Sequence, residues 1–134
     1  MKRPLKILNA KELKPLYSPV FVTCCTLFLA HQITQRVLHL SIPFADNYID
    51  NFLATPILLT LLLVERRTLF RYGRDYTLSM PEVCLATVFI AVVGEILFPA
   101  LSEKFTPDWL DVPFYALGSV LFYAAVNKAD RSPL

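Results

Sequence analysis

The chain has 134 residues, enough for one domain, and 55% of them are hydrophobic, with a mean hydropathy of +0.50. This is more apolar than a typical soluble domain, and the apolar residues come in long blocks, which excludes a disordered chain and indicates an integral membrane protein. The net charge is only +2. Its lysines and arginines cluster as in short cytoplasmic loops of membrane proteins, so no nucleic-acid partner is expected.

Residues 1–17 form a basic lead. Asn9 and Glu12 have the spacing of a capping box, which predicts a short amphipathic helix from Ala10 to about Lys14. We expect such a helix to lie on the inner membrane surface, with its lysines facing anionic lipid. A plain cytoplasmic lead-in is the alternative.

The first membrane helix is predicted to begin at Ser18, as N-cap, with Pro19 at the first helical position, and to end near residue 39. Its second half is polar at helical spacing: the polar residues are His31, Gln32, Gln35, Arg36 and His39. Because unpaired polar groups are costly in lipid, this face is predicted to point toward the other helices or toward water.

Three further helices follow. The second contains Pro56, where a kink is expected, and the third begins at a capping box made by Ser79 and Glu82. Asp111 is the predicted N-cap of the fourth. The predicted fold is all-α, a polytopic membrane protein built as an antiparallel bundle of four transmembrane helices with a short amphipathic N-terminal segment. The predicted domain covers residues 18–128, with helices at 18–39, 43–69, 80–98 and 111–127 and a tail at 129–134.

The distribution of charge predicts the orientation of this bundle. All lysines and arginines except Arg36 and Lys104 fall in the predicted inner segments. Short basic loops stay in the cytoplasm, so both termini are predicted to lie inside, in the inner membrane of a bacterium. Trp109 and Tyr115 suit an outer aromatic belt at the interface.

Polar and ionisable residues from all four helices fall at the same predicted depth, the outer third of the membrane. The stretch DNYIDN at residues 46–51 opens the second helix directly before an uncharged run. The acidic residues predicted to meet there, as candidate metal ligands, are Asp46, Asp50, Glu95 and Asp111, with Asp108 in the adjoining loop. The further predicted pocket residues are His31, Gln35, Arg36, Asn47 and Asn51.

Three interpretations of this cluster stay open. In the structural one, Arg36 pairs with Asp50 or Glu95 and holds the bundle together. In the binding one, carboxylates and amides form an oxygen-rich pocket for Mg²⁺, Ca²⁺ or a cationic headgroup. In the catalytic one, Glu95 or Asp50 does acid–base work on a lipid-linked substrate, with His31 or His39 as partner.

Two stretches also carry a resemblance. ADNYIDNFLATPILLTLLL (45–63) and GEILFPALSEKFTPDWLDVPFYALGSVLFY (94–123) resemble small bacterial membrane proteins labelled magnesium citrate secondary transporters and, more distantly, the VanZ-like family. The residues that fit the VanZ-like pattern are Asp46, Glu95, Pro99, Asp111, Val112 and Gly118. The chain departs from it at Asp50, Phe98 and Tyr115, where the family has His, Gln and Asn. The resemblance implies a four-helix membrane fold and selects the same acidic residues.

The predicted function is binding of an envelope component or a divalent cation at the outer acidic pocket, in envelope maintenance or in transport as a homo-oligomer. A membrane enzyme acting on a lipid-linked or headgroup substrate is the first alternative. The second is a structural subunit whose basic inner face, formed by Arg66 to Arg74 and the N-terminal lysines, docks a cytoplasmic partner. The expected partners are the lipid bilayer, further copies of the chain and a lipid or envelope precursor. Mg²⁺ or Ca²⁺ is the only cofactor considered.

Overall fold

The computed structural model describes residues 10–40, 43–103 and 108–129, and the side chains of the second helix from residue 48 onward. The described chain is all-helical. A 3₁₀ turn at Lys14–Tyr17 is followed by four helices: α1 (Pro19–Arg36), α2 (Pro43–Thr68), α3 (Met80–Leu101) and α4 (Asp111–Ala125).

Two predicted helix starts are confirmed. The Ser18 hydroxyl accepts the N–H of Phe21 at 3.1 Å, with Pro19 in the first turn. At α3, the Ser79 hydroxyl accepts the N–H of Glu82 at 3.3 Å, and the Glu82 carboxylate accepts the N–H of Ser79 at 2.7 Å. Both caps satisfy backbone donors that the first helical turn leaves free.

The predicted N-cap of α4 is wrong. Asp111 lies inside the first turn of the helix, and Leu110 is the cap residue without any side-chain cap bond. Asp108 performs part of the capping task instead, because its Oδ1 accepts the N–H of Leu110 at 3.0 Å. The Asp111 carboxylate is therefore free to face the bundle.

The basic lead and two helix ends also differ from prediction. Residues 10–13 form turns before the 3₁₀ segment rather than an α-helix, and Asn9 lies outside the described residues. Helix α1 ends at Arg36, and His39 beyond it has a left-handed φ of 52°. Helix α3 runs on to Leu101 through a π-helical turn at Val93–Leu97, which adds length beyond the predicted end at residue 98.

Two helices of the described chain are long and apolar enough to cross a membrane, Tyr48–Thr68 and Met80–Leu101. Only 6% of the apolar window of α3 is buried within the protein, which leaves large side chains such as Leu85 and Phe89 exposed. Helix α4 is apolar but has only 15 residues, and the second half of α1 is polar, so neither meets the same criteria of length and composition. Length and composition thus make α2 and α3 candidate membrane spans.

Helix α2 is the central element and packs against the other three helices. Gly118 of α4 lies so close to α2 that a Cβ at that position would stand 2.6 Å from the carbonyl oxygen of Phe52. Pro56 lacks the N–H that would otherwise bond to this carbonyl, so one backbone hydrogen bond of α2 is missing there. Helix α4 approaches α2 at that point. The core residues are Leu59, Leu63, Leu78, Val83, Phe122 and Val126.

One end of the bundle, called here the basic end, comprises the end of α2, the α2–α3 loop and the chain after α4. Arg67 is 1% exposed and ties these three segments together. Its Nε–H donates to the carbonyl of Tyr76 and its Nη2 to the carbonyl of Lys128, each at 2.9 Å. Successive helices consequently run antiparallel, and the starts of α2 and α4 meet at the opposite end, called here the polar end.

Candidate functional site

Glu95 lies in the π-helical turn of α3, at the polar end. Its Oε2 accepts the backbone N–H of Asp108 at 2.7 Å, and the hydroxyl of Tyr115 lies 3.4 Å from its Oε1. The preceding residue is Gly94, and a Cβ there would collide with the Tyr115 hydroxyl, so the glycine admits this close approach. π-Helical turns are frequent at functional sites because they re-aim side chains within a helix.

Asp111 of α4 faces Glu95 and is 92% buried, with a relative exposure of 8%. Its carboxyl group is within hydrogen-bonding reach of the carboxyl of Glu95 and of the side chain of Asn51 on α2. Its Oδ1 is buried and has no hydrogen-bond partner. Two carboxyl groups in contact require a proton or a cation between them, because two bare carboxylates repel each other.

Asp108 and Tyr48 complete this end of the site. The Tyr48 hydroxyl donates to Oδ2 of Asp108 at 3.2 Å, and the Tyr48 ring stacks on Phe114 at 4.7 Å between centroids. These contacts fix the segment before α4 against the start of α2. The backbone N–H of Asp108 is therefore held in place to bind Glu95.

Asp50 belongs to a second group, formed with α1. Its Oδ1 lies 2.6 Å from Nδ1 of His31, and its Oδ2 accepts from the Gln32 amide at 2.9 Å. His31 is buried, whereas Asp50 is about one-quarter exposed. The predicted inward face of α1 is thus engaged by one carboxylate, and this contact joins α1 to α2.

The predicted pairing of Arg36 with Asp50 or Glu95 is wrong. Arg36 is exposed at the end of α1, and no ion pair joins it to either carboxylate. Asp50 is satisfied by His31 and Gln32, which lie about one turn nearer the middle of α1.

The structure therefore brings together only part of the predicted site. Glu95, Asp111 and Asn51 meet, while Asp50 and His31 meet separately. Gln35 is partly buried on α1. The side chains of Asp46 and Asn47 lie outside the described residues. Among the side chains that are described, no group of three or more His, Cys, Asp or Glu is arranged to hold a metal ion.

Tyr115 and Tyr48 are site residues that the sequence interpretation missed. The sequence predicts Tyr115 in the outer aromatic belt, but its side chain is 5% exposed and its hydroxyl is bonded to Glu95. Its position four residues after Asp111 places both on one face of α4, and this spacing is the signal that could have found it. Tyr48 lies within DNYIDN, three residues before Asn51, so the two share one face of α2, and this spacing is the signal that could have found it.

Comparisons of the chain with protein-family models, with curated proteins and with solved structures found no match. The resemblance described from Asp46, Glu95 and their neighbours accordingly stays a prediction, and the function has to be argued from geometry.

Proposed function

We propose that the protein is a small polytopic protein of a bacterial inner membrane, with all four helices crossing the bilayer and the basic end on the cytoplasmic side. We propose further that its polar end binds a divalent cation, Mg²⁺ or Ca²⁺, between Glu95 and Asp111. A transport role would require several copies, because four short helices lack the inverted repeats typical of secondary transporters.

The observation that carries the proposal is the buried Oδ1 of Asp111, which has no partner although it lies beside a second carboxyl group. A buried acceptor without a donor costs about 1–3 kcal/mol, and a cation would remove that cost. Carboxylate and amide oxygens are the ligands that hard cations prefer, and Asn51 offers an amide next to the pair. Mg²⁺ usually keeps several waters and takes only one or two carboxylates from the protein, the number that Glu95 and Asp111 supply.

The surroundings of the pair support reversible binding. The Asp108 N–H and the Tyr115 hydroxyl hold Glu95 in one orientation, so little ordering would accompany cation entry. Asp111 lies in the first turn of α4, at the positive end of the helix dipole, which favours the charged form of its carboxylate that cation binding requires.

A second candidate function has its own observation. The direct carboxyl–carboxyl contact between Glu95 and Asp111 is also the arrangement in which two acids share one proton. In that case the pair would supply acid–base chemistry to a lipid-linked or headgroup substrate, as a membrane enzyme requires. The His31–Asp50 contact would remain a helix-packing interaction.

Thermal unfolding of the detergent-purified protein distinguishes the two functions. We expect millimolar Mg²⁺ or Ca²⁺ at constant ionic strength to raise the unfolding midpoint, by linkage worth about 2.7 kcal/mol at a hundredfold excess over Kd. Glu95→Gln and Asp111→Asn should abolish the shift. Glu103→Gln is the matched control, because Glu103 is exposed and near the same end.

A cation shift that persists in Glu95→Gln would contradict the proposed site. Absence of any shift in the wild type, together with an unfolding midpoint in Glu95→Gln that equals the wild-type value, would favour the shared proton. In that variant the amide supplies the hydrogen that the proton provided.

A further inference from the structure

A groove of about 410 Å³ opens between α2 and α3 at the basic end, away from the polar end. Its lining residues are Leu62, Arg66, Leu78, Glu82, Leu85, Ala86 and Phe89. Five of these seven side chains are apolar, and the charged ones, Arg66 and Glu82, stand toward the end of α2 and the start of α3. The groove is thus apolar along its length and charged at one end.

The two charged groups differ in how they are satisfied. Both oxygens of Glu82 are occupied, Oε1 by the hydroxyl of Tyr76 at 2.6 Å and Oε2 by the N–H of Ser79 at 2.7 Å. The Nε of Arg66, in contrast, is buried and has no hydrogen-bond acceptor, although the guanidinium stacks over Phe70 at 4.5 Å. Glu82 is a neighbouring opposite charge for Arg66, but it does not accept a hydrogen bond from the guanidinium, which can therefore bind a ligand that carries an anionic oxygen.

The outer wall of the groove is formed by exposed apolar side chains of α3. Leu85 is 73% exposed and Phe89, one turn further along α3, is 68% exposed. These two side chains continue from the groove onto the open face of α3, which is almost entirely unburied within the protein. A ligand with an anionic head and a long apolar tail satisfies both the guanidinium and this face.

We propose that this groove binds one anionic phospholipid of the surrounding bilayer. Its phosphate pairs with the guanidinium of Arg66, and the first part of an acyl chain lies against Leu85, Ala86 and Phe89. The rest of the lipid extends over the exposed face of α3, since the groove is smaller than a whole phospholipid. The proposal rests on the proposed membrane location but does not require the cation site.

Native mass spectrometry of the detergent-purified full chain tests this site. The probes are phosphatidylglycerol and phosphatidylcholine with identical acyl chains, and the fatty acid oleate. We expect one tightly retained phosphatidylglycerol, bound about fivefold more tightly than phosphatidylcholine, as one basic residue near an anionic lipid provides. Arg66→Gln should remove this preference, and Ala86→Phe, which fills the groove, should weaken both phospholipids.

Arg71→Gln is the matched control, because Arg71 is exposed and does not line the groove. An equal loss in Arg71→Gln would overturn the proposal by showing diffuse attraction to the basic end. So would equal binding of the two phospholipids by the wild type, or oleate retained as tightly as phosphatidylglycerol. Glu95→Gln, run alongside, should keep the lipid preference, so failure of the cation site and failure of the lipid site are seen separately.

Discussion

Asn127 and Leu78 hold each other through two hydrogen bonds. The Asn127 Oδ1 accepts the N–H of Leu78 at 2.8 Å, and its Nδ2 donates to the carbonyl of Leu78 at 2.7 Å. Asn127, in the chain after α4, thereby satisfies both the N–H and the carbonyl of Leu78. Leu78 lies in the α2–α3 loop and is only 2% exposed. This pair joins the α2–α3 loop to the chain after α4, the same two segments that Arg67 joins.

Replacing Asn127 tests that lock. We expect Asn127→Ala to lower the free energy of unfolding by about 1–3 kcal/mol, because two buried backbone groups of Leu78 lose their partners. Asn127→Asp should be at least as costly, since it places a carboxylate oxygen against the Leu78 carbonyl. Denaturant titration in detergent measures both. Lys128→Ala, at the exposed neighbouring residue, should change little, and a comparable loss there would argue against the pair.

Arg67 is expected to be structural despite its position in a basic segment. Arg67→Gln should cost roughly 3 kcal/mol or more, because the carbonyls of Tyr76 and Lys128 together lose a buried charged donor. Exposed Arg71→Gln should stay within about 0.5 kcal/mol of wild type. If Arg67→Gln unfolds like wild type but no longer binds a cytoplasmic protein, the result would support the alternative function, a structural subunit that docks a cytoplasmic partner.

Gly118 sets the approach of α4 to α2. Gly118→Ala should lower the free energy of unfolding by about 1–3 kcal/mol, because the new Cβ would meet the Phe52 carbonyl and backbone must shift. Gly94→Ala is the informative contrast. Its Cβ would meet only the end of the Tyr115 side chain, which can move, so folding should suffer less while the Tyr115–Glu95 contact is lost. Equal stability losses in the two variants would be inconsistent with this difference.

Stability in alkali should depend on Tyr76. Burial, followed by the hydrogen bond to the Glu82 carboxylate, raises the pKa of Tyr76 to about 12, compared with about 10 in an unfolded chain. Between these values the folded state keeps a proton that the unfolded state has lost. The contribution of Tyr76 is therefore complete below about pH 10 and declines as the pH rises toward 12.

Tyr76→Phe removes this titration, so its stability should fall less steeply above pH 10 than that of wild type. Tyr17→Phe, at a residue that is 73% exposed, is the control and should follow the wild-type curve. Unfolding midpoints measured from pH 8 to about pH 11.5 provide the comparison. Parallel curves for wild type and Tyr76→Phe would contradict the argument.

Local sequence determined the all-helical class and the starts of α1 and α3. Ser18 with Pro19, and Ser79 with Glu82, satisfy backbone donors within one turn, so their effect needs no distant partner. The apolar runs that make α2 and α3 long enough to cross a membrane are likewise a property of consecutive residues. Glu95 and Asp111 could be selected only among four acidic candidates, with Asp46 and Asp50, because charged groups in apolar helices are costly anywhere.

Only the tertiary structure decided which of these groups meet. Asp50 and Asn51 are neighbours in the chain, yet Asp50 binds His31 of α1 while Asn51 lies beside Asp111 of α4, because adjacent helical residues point about 100° apart. The π-helical turn around Glu95 and the closeness of Gly94 to Tyr115 arise from packing between α3 and α4. Helical spacing places residues on a face, but the contacts between helices determine what that face meets.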